Sequence, residues 1–317
     1  MATVSIQVVT HNSSPTIERT LRSALQQSEV SFELIIVDNA STDNTVQLVE
    51  AMGLQPIKNH ENRGYAAAHN QAIALSNSPY ILTLNPDVWL APDFLSHLAK
   101  ALDADDRLGS ASGCLLRVDD LSNKPQTVDS AGLYMKRNRR QGLRYEGERV
   151  EHRPIERAWI FGPDGAAAFY RRAMLEDIAD HEEIFDEDFF MHKEDVDICW
   201  RALSRGWRSF YVPESIAYHV RTFRPGQRRK VDPQTRYYGI RNRYLLLLKN
   251  ERWASCWKDA PFILFYDLGV IGYMLLYERN SLRAVSSAWR LRHRMLAKRK
   301  FIHARALADW RDGVHAP

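Results

Sequence analysis

Residues 34–43 read Leu-Ile-Ile-Val-Asp-Asn-Ala-Ser-Thr-Asp. A short β-branched run passes directly into a polar loop whose acidic and hydroxyl side chains suit a helix start. The same alternation extends to both sides. Val4-Ser5-Ile6-Gln7-Val8-Val9 predicts a strand, and Ser14-Pro15-Thr16-Ile17-Glu18 predicts a helix start with a Ser cap and Pro in its first turn. After Asp38 comes a helix carrying Val46, Leu48, Val49 and Met52 on its apolar positions. Pro56-Ile57-Lys58 predicts a short third strand, residues 65–76 an Ala-rich helix, and Tyr80-Ile81-Leu82-Thr83-Leu84 a fourth strand ending in Asn85-Pro86-Asp87. Strands alternating with helices in this way form βαβ units and a mostly parallel, Rossmann-like sheet flanked by helices. Ligands of such sheets bind beyond the carboxyl ends of the strands. His11, Asp38, Arg63 and Asp87 are therefore expected on one rim.

The remainder of the 317 residues is harder to read. With 45% hydrophobic and 26% charged residues, the composition is that of a globular protein, which excludes collagen-like, disordered and disulfide-scaffold classes. Net charge is −7 over residues 1–120, −3 over 121–220 and +14 over 221–317. A basic C-terminal third on an acidic body faces an anionic partner or forms a solvated surface. Cys114, Cys199 and Cys256 are far apart and odd in number, so no disulfide framework is expected. The first residues lack a secretory signal, so the mature chain is expected to start here. Stretches 121–128 and 136–153 read as irregular polar loops facing an acceptor or partner, and everything after about 232 reads as helical. Pro261 to Tyr277 is apolar apart from Asp267. A spanning helix needs about 20 apolar residues, so this reads as a buried or membrane-interfacial helix. Arg279 to Arg305 then holds nine cations and no acid.

Phosphate-loop, dinucleotide, zinc and nucleophile-elbow signatures are missing. Carboxylates at strand ends remain: Asp38, Asp87 and, after an aromatic run, the pair Glu194-Asp195. An Asp beyond a parallel strand accepts hydrogen bonds from a ligand or caps the next helix, and for Asp38 alone both readings stay open. For Asp87, a hard cation that takes one or two carboxylates and fills its shell with phosphate oxygens is consistent with the position.

Taken together, Val-Val-Thr-His-Asn-Ser (8–13), Ile-Val-Asp-Asn-Ala-Ser-Thr-Asp (36–43), Glu-Asn-Arg-Gly-Tyr-Ala-Ala-Ala-His-Asn (61–70), Leu-Asn-Pro-Asp-Val (84–88) and Phe-Phe-Met-His-Lys-Glu-Asp-Val-Asp-Ile-Cys-Trp-Arg (189–201) resemble the family-two inverting glycosyltransferases of GT-A fold. The resemblance spans about residues 3–250 and is greatest to rhamnosyltransferases of cell-wall and O-antigen assembly. It implies a catalytic domain over 1–230 and a basic helical extension over 231–317. It places the nucleotide on Thr10, His11, Asn12, Asp38, Arg63 and Asn85, and a divalent metal, magnesium or manganese, on Asp87 with His219 as a further ligand. It makes Asp195 the general base, with Glu194 as the fallback and Asp197 supporting the positive end of its helix. The family's D-x-D is Asn85-Pro86-Asp87 here, leaving one carboxylate, and His11 stands where the family commonly has Tyr. Arg224, Arg228, Arg229 and Lys230 would form a basic loop over the diphosphate.

The implied partners are a dTDP- or UDP-linked sugar donor, a lipid-linked or polysaccharide acceptor and an anionic membrane surface, with no nucleic acid. The implied location is cytoplasmic and peripheral, at the inner face of the membrane. A homodimer through the C-terminal helices is an open alternative to membrane docking. Competing functions are a sugar-nucleotide nucleotidyltransferase, which would show a Gly-rich, Arg-containing loop after the first strand, and a non-enzymatic basic membrane- or RNA-binding protein. The latter leaves the strand-end carboxylates unexplained.

Overall fold

The computed structural model describes residues 3–118, 125–181, 183–221, 231–252 and 256–307. The first half holds β1 (Val4–Thr10), α1 (Ile17–Leu25), β2 (Phe32–Asp38), α2 (Thr45–Ala51), β3 (Ile57–Lys58), α3 (Gly64–Ala74), β4 (Tyr80–Leu84), β5 (Val88–Leu90), α4 (Phe94–Asp103) and β6 (Leu108–Arg117). There follow β7 (Thr127–Ser130), β8 (Leu133–Met135), β9 (Gln141–Leu143), β10 (Ala158–Ile160), β11 (Ala167–Arg171), α5 (Arg172–Ile178), α6 (Glu194–Ser204) and β12 (Arg208–His219). The C-terminal helices are α7 (Pro233–Asn250), α8 (Ala260–Tyr277), α9 (Leu282–Arg290) and α10 (Arg292–Arg305).

The sheet runs β10-β12-β6-β11-β4-β1-β2-β3, with β5 on β12 and β7 on β6. Strands β3, β2, β1 and β4 are parallel, as the βαβ pattern predicts. All seven residues of β1 are buried because helices cover both of its faces. One face packs Ile6, Val8 and Leu84 against Ile17, Leu21, Phe94 and Leu98. The other packs Ile81 and Ala168 against Ala66, Ile73, Leu175 and Ile198. The register sets Thr10 opposite Asp38, which brings the ends of β1 and β2 level on the predicted rim.

Two local expectations are corrected. Helix α1 begins at Ile17 without a side-chain cap; Ser13 O accepts from the amides of Thr16 and Ile17 instead. Residues 141–143, within the stretch 136–153 read as loop, form β9 and pair with β8 in a hairpin whose three-residue strands are too short to show an alternation of two.

Helices α7, α9 and α10 share a core with α6. Trp200, Cys199 and Leu203 pack with Leu245, Leu246, Ala288 and Met295. Asn242 and Arg241 of α7 reach the backbone of residues 188–192, just before α6, and Phe190 in that segment stacks on Tyr238 with ring centroids 5.0 Å apart. From the other side, Phe190 O accepts from Tyr65 N at 2.6 Å. Gly64 makes this approach possible: its φ is +83°, and a Cβ there would lie 2.6 Å from both Phe190 Cδ2 and Phe190 O. Gly64→Ala is expected to destabilise the fold by about 1–3 kcal/mol through backbone strain and overpacking. Urea unfolding of the variant beside the parent checks this.

Candidate active site

The rim begins where β1 and β2 end. Thr10 Oγ1 donates to Asp38 Oδ1 at 2.7 Å, and Ser41 donates to both Asp38 oxygens through its amide and hydroxyl. Asp38 is therefore buried and fixed, and it does not cap α2; Asp43 Oδ1 does so by accepting from Thr45 N. Asn12, at φ +52°, stitches the two loops together: its amide donates to Ser41 Oγ and its Oδ1 accepts from Thr42 N. The His11 ring is exposed, with Nδ1 2.8 Å from Asn39 O. Arg63 is exposed at the start of α3. Asn85 N donates to Ala166 O, tying the end of β4 to the loop before β11.

Asp87 and His219 meet across the β5–β12 pairing, in which His219 lies opposite Val88. His219 Nε2 is 3.4 Å from Asp87 Oδ1, a buried oxygen that accepts no hydrogen bond. His219 Nδ1 is 2.8 Å from Asp129 Oδ2. Burial opposes a charge on this ring, but the Asp129 and Asp87 carboxylates outweigh it and raise its pKa to about 9. Asp129 is fully buried and also accepts from Arg117 and Arg221. These three cationic partners overcome the burial penalty and hold its carboxyl well below the usual range.

Asp87 Oδ1 and the imidazole beside it, oriented from behind by a second carboxylate, form a donor set suited to a divalent cation that displaces the proton from Nε2. Among the described residues no cluster of three or more His, Cys, Asp or Glu side chains could hold a metal. A cation at Asp87 and His219 would therefore need phosphate oxygens and water to complete its shell.

From there, contacts run unbroken to the acidic pair. Arg221 also binds Asp164 at 2.9 Å. Next to it, Gly165 N donates to Asp195 Oδ2 at 3.1 Å, and Val196 N donates to Asp195 Oδ1 at 2.7 Å. Tyr65 OH donates to Gly165 O at 2.9 Å, closing the path back to α3. Asp195 is half-buried and aimed by two amides, whereas Glu194 is buried with Oε2 unpartnered. Burial first, and then the charge of Asp164, raises the Asp195 pKa; burial and then Asp195 raise that of Glu194 further. Asp197 lies in the first turn of α6, at the helix's positive end. It is wholly buried, with Arg201, Lys249 and Asn250 as partners, and so anchors α6 to α7. The basic loop at Arg224, Arg228, Arg229 and Lys230 lies outside the described residues.

Asp129, Asp164, Arg221 and Asn242 were not singled out from sequence. A lone Asp in the strand Thr-Val-Asp-Ser was the available sign for Asp129, since a carboxylate in a buried strand needs a cationic partner.

The sequence matches the family described as Glycosyl transferase family 2 over residues 5–179. It is 28% identical over 286 residues to the N-acetylglucosaminyl-diphospho-decaprenol L-rhamnosyltransferase of Mycobacterium tuberculosis, covering 81% of this chain and 86% of that protein. Similar solved structures include a mannosyltransferase from Pyrobaculum calidifontis in complex with GDP-Man and Mn2+. It has a TM-score of 0.56 and 20% identity, and the match covers 98% of this chain and 82% of that one. Staphylococcus aureus TarS 1–349 in complex with UDP has a TM-score of 0.55 and 18% identity, with 99% and 93% covered. The chain belongs to glycosyl transferase family 2 and has the GT-A fold.

The grip of α7 on the segment before Glu194-Asp195 makes Asn242 a positioning residue. Its Nδ2 donates to the carbonyls of Phe189, Met191 and His192 at 2.9, 2.8 and 2.7 Å. Asn242→Asp, which cannot donate, and Asn242→Ala are both expected to lower kcat at least about tenfold, since small misplacements of catalytic groups are costly. Nucleotide affinity should stay within about threefold, since Thr10 and Asp38 lie on other elements. Steady-state kinetics beside calorimetric nucleotide binding checks the split.

Proposed function

We propose that this family 2 glycosyltransferase inverts the anomeric centre as it moves a sugar, rhamnose first among candidates, from a dTDP- or UDP-linked donor to a hydroxyl of a lipid-linked acceptor. The observation that carries the reading is the half-buried Asp195, aimed by two backbone amides and joined to the Asp87–His219 pair through Asp164, Arg221 and Asp129. The lipid-diphosphate named for the mycobacterial relative's acceptor supports the acceptor class.

The donor's base and ribose would lie along the rim of His11, Asp38 and Arg63, leaving the anomeric carbon between the diphosphate and Asp195. The acceptor hydroxyl attacks that carbon from the face opposite the leaving diphosphate while Asp195 takes its proton. One bond to oxygen forms as the bond to the leaving oxygen breaks, and the nucleoside diphosphate departs with the electron pair. A divalent metal, magnesium or manganese, held by Asp87 and His219 would offset the charge developing on that diphosphate. Glu194, whose pKa burial raises, stays protonated at neutral pH more readily than Asp195 and so is the poorer base.

Asp195→Asn is expected to lower turnover about 10²–10⁴-fold, the usual range for a lost general base, with donor affinity little changed. For the parent enzyme, the raised pKa of Asp195 means that the base is protonated, and idle, at pH values where an ordinary Asp already works. Turnover should therefore rise with pH through an inflection above about 4, the ordinary carboxylate value. Nucleoside diphosphate release from a panel of nucleotide sugars, followed over pH, tests donor, base and class together. Full turnover by Asp195→Asn overturns the base assignment.

The same reading places the enzyme at the inner face of a membrane. Helix α8 is long and apolar enough to cross one by length and composition. The buried alternative for α8 does not hold, since Leu264, Phe265, Leu268 and Leu276 are 58–82% exposed. One side of α8 is tied to α7 by Arg243–Asp267 at 2.7 Å and by Arg236–Glu278, which suits a helix lying in the interface better than one crossing it. Exposed Trp257 and Trp289, with Arg283 and Arg290, would sit at the headgroup level. Other tail cations are engaged by the protein itself: Lys298 is buried among Glu183, Asp186 and Asp188, and Arg294 pairs with Asp188. Leu264→Ser, Leu268→Ser and Leu276→Ser combined should abolish co-sedimentation with anionic vesicles while leaving nucleotide binding intact. Unchanged pelleting rejects α8 as the contact.

A further inference from the structure

Between the turn of the β8–β9 hairpin and the first turns of α8 opens a groove of about 600 Å³. Lys136, Arg137 and Asn138 form one wall, and Phe262, Phe265 and Tyr266 line the other. Phe265 is 82% exposed, and nothing in its own chain covers the ring among the described residues. Apolar surface presented this way beside a charged wall is the mark of a binding groove rather than of packing.

The cationic wall is dense. Residues 136–140 read Lys-Arg-Asn-Arg-Arg. Glu251 and Asp259 meet the charge of Arg139, and Asp259 also pairs with Arg137. Among the described residues, Lys136 and Arg140 have no carboxylate within ion-pair distance. Arg137 is fixed as part of the wall, its guanidinium 4.0 Å over the Phe262 ring.

The turn also borders the catalytic segment. Arg243 donates to the carbonyls of Asn138 and Arg139 while pairing with Asp267 of α8, so it locks the turn and the helix together. Arg243 and Arg140 both lie near enough to Lys193, the residue before Glu194, to add to the burial that lowers its pKa. The turn thus lies between the groove and the surroundings of Lys193.

We propose that this groove seats the isoprenoid diphosphate end of a lipid-linked acceptor, with the chain along Phe262, Phe265 and Tyr266 and the diphosphate at the cationic turn. This rests on the lipid-linked acceptor proposed above and supplies the subsite that reading lacks. The pairing of chemistries selects the occupant: an apolar chain covers the aromatics, and a diphosphate meets Lys136, which has no carboxylate within ion-pair distance among the described residues, beside Arg137.

The test uses the full chain without vesicles. Farnesyl diphosphate is titrated calorimetrically below its micelle concentration, with saturating UDP filling the donor site, beside inorganic diphosphate and farnesol. Farnesyl diphosphate should bind more tightly than either fragment. Lys136→Ala and Phe265→Ala, both exposed and harmless to folding, should each weaken it about fivefold or more, through the lost charge and the lost apolar contact. UDP affinity should be the same in all three proteins. Unchanged farnesyl diphosphate binding in both variants, its displacement by UDP, or equal binding of inorganic diphosphate overturns the groove assignment. If neither UDP nor dTDP binds in this experiment, the donor reading falls; if either binds and the variants have no effect, only the groove falls.

Discussion

The backbone between Phe189 and Glu194 must run through conformations that side chains resist, and much of the molecule serves to hold it there. Phe190, His192 and Lys193 all have φ between 63° and 73°. For residues other than Gly, each such conformation costs about 1–3 kcal/mol and persists only where the surroundings overdetermine it. Here they do. Asn242 binds three carbonyls of the segment, Arg241 binds those of Asp188 and Phe189, and the α3 amide of Tyr65 binds that of Phe190. The benefit of the strained turn is direction: it starts α6 so that Asp195 faces the Gly165 amide while Asp197, two residues on, points into the core.

That inward direction puts several charges where water is scarce. Asp186 and Asp197 are buried, and Lys249 of α7 bridges them at 2.6 and 2.8 Å. Lys298 of α10 covers Asp186 from the other side at 2.6 Å. Buried ion pairs contribute little net stability, because desolvation offsets most of the attraction, but removing one partner costs about 3–5 kcal/mol. Their effect is therefore on arrangement. With the acids fixed by the strained segment, α7 and α10 have one register that matches lysines to carboxylates, and the C-terminal helices become part of the structure that aims Asp195.

Legibility in the sequence followed the range of the interactions involved. Strands β1, β2 and β4 were readable because their burial is written in consecutive apolar residues, and their ends located His11, Asp38 and Asp87 through a rule of sheet topology. The region from 118 to 171 was not, because its strands are three to five residues long and pair with distant partners. Asp129, Asp164 and Asn242 carry no local mark of their importance. Each matters through a contact 30 or more positions away: His219 for Asp129, Arg221 for Asp164, and residues 189–192 for Asn242. One cation of the tail was illegible for the same reason. Lys298 reads as one more surface cation until the fold sets three carboxylates around it.

Asn85 stands where the resemblance expects a second strand-end carboxylate. A site with one Asp carries less negative charge toward a cation than a site with two. Behind His219, however, stands Asp129, whose carboxylate orients the ring and makes Nε2 a stronger donor. Left alone, a buried carboxylate in that place would be too costly to keep ionised. Arg117 and Arg221 keep it so, and Arg221 then extends the same chain of charge to Asp164 beside Asp195. The network thus reaches from Asp87 to the acidic pair, with the charge of Asp129 balanced by its own cationic partners.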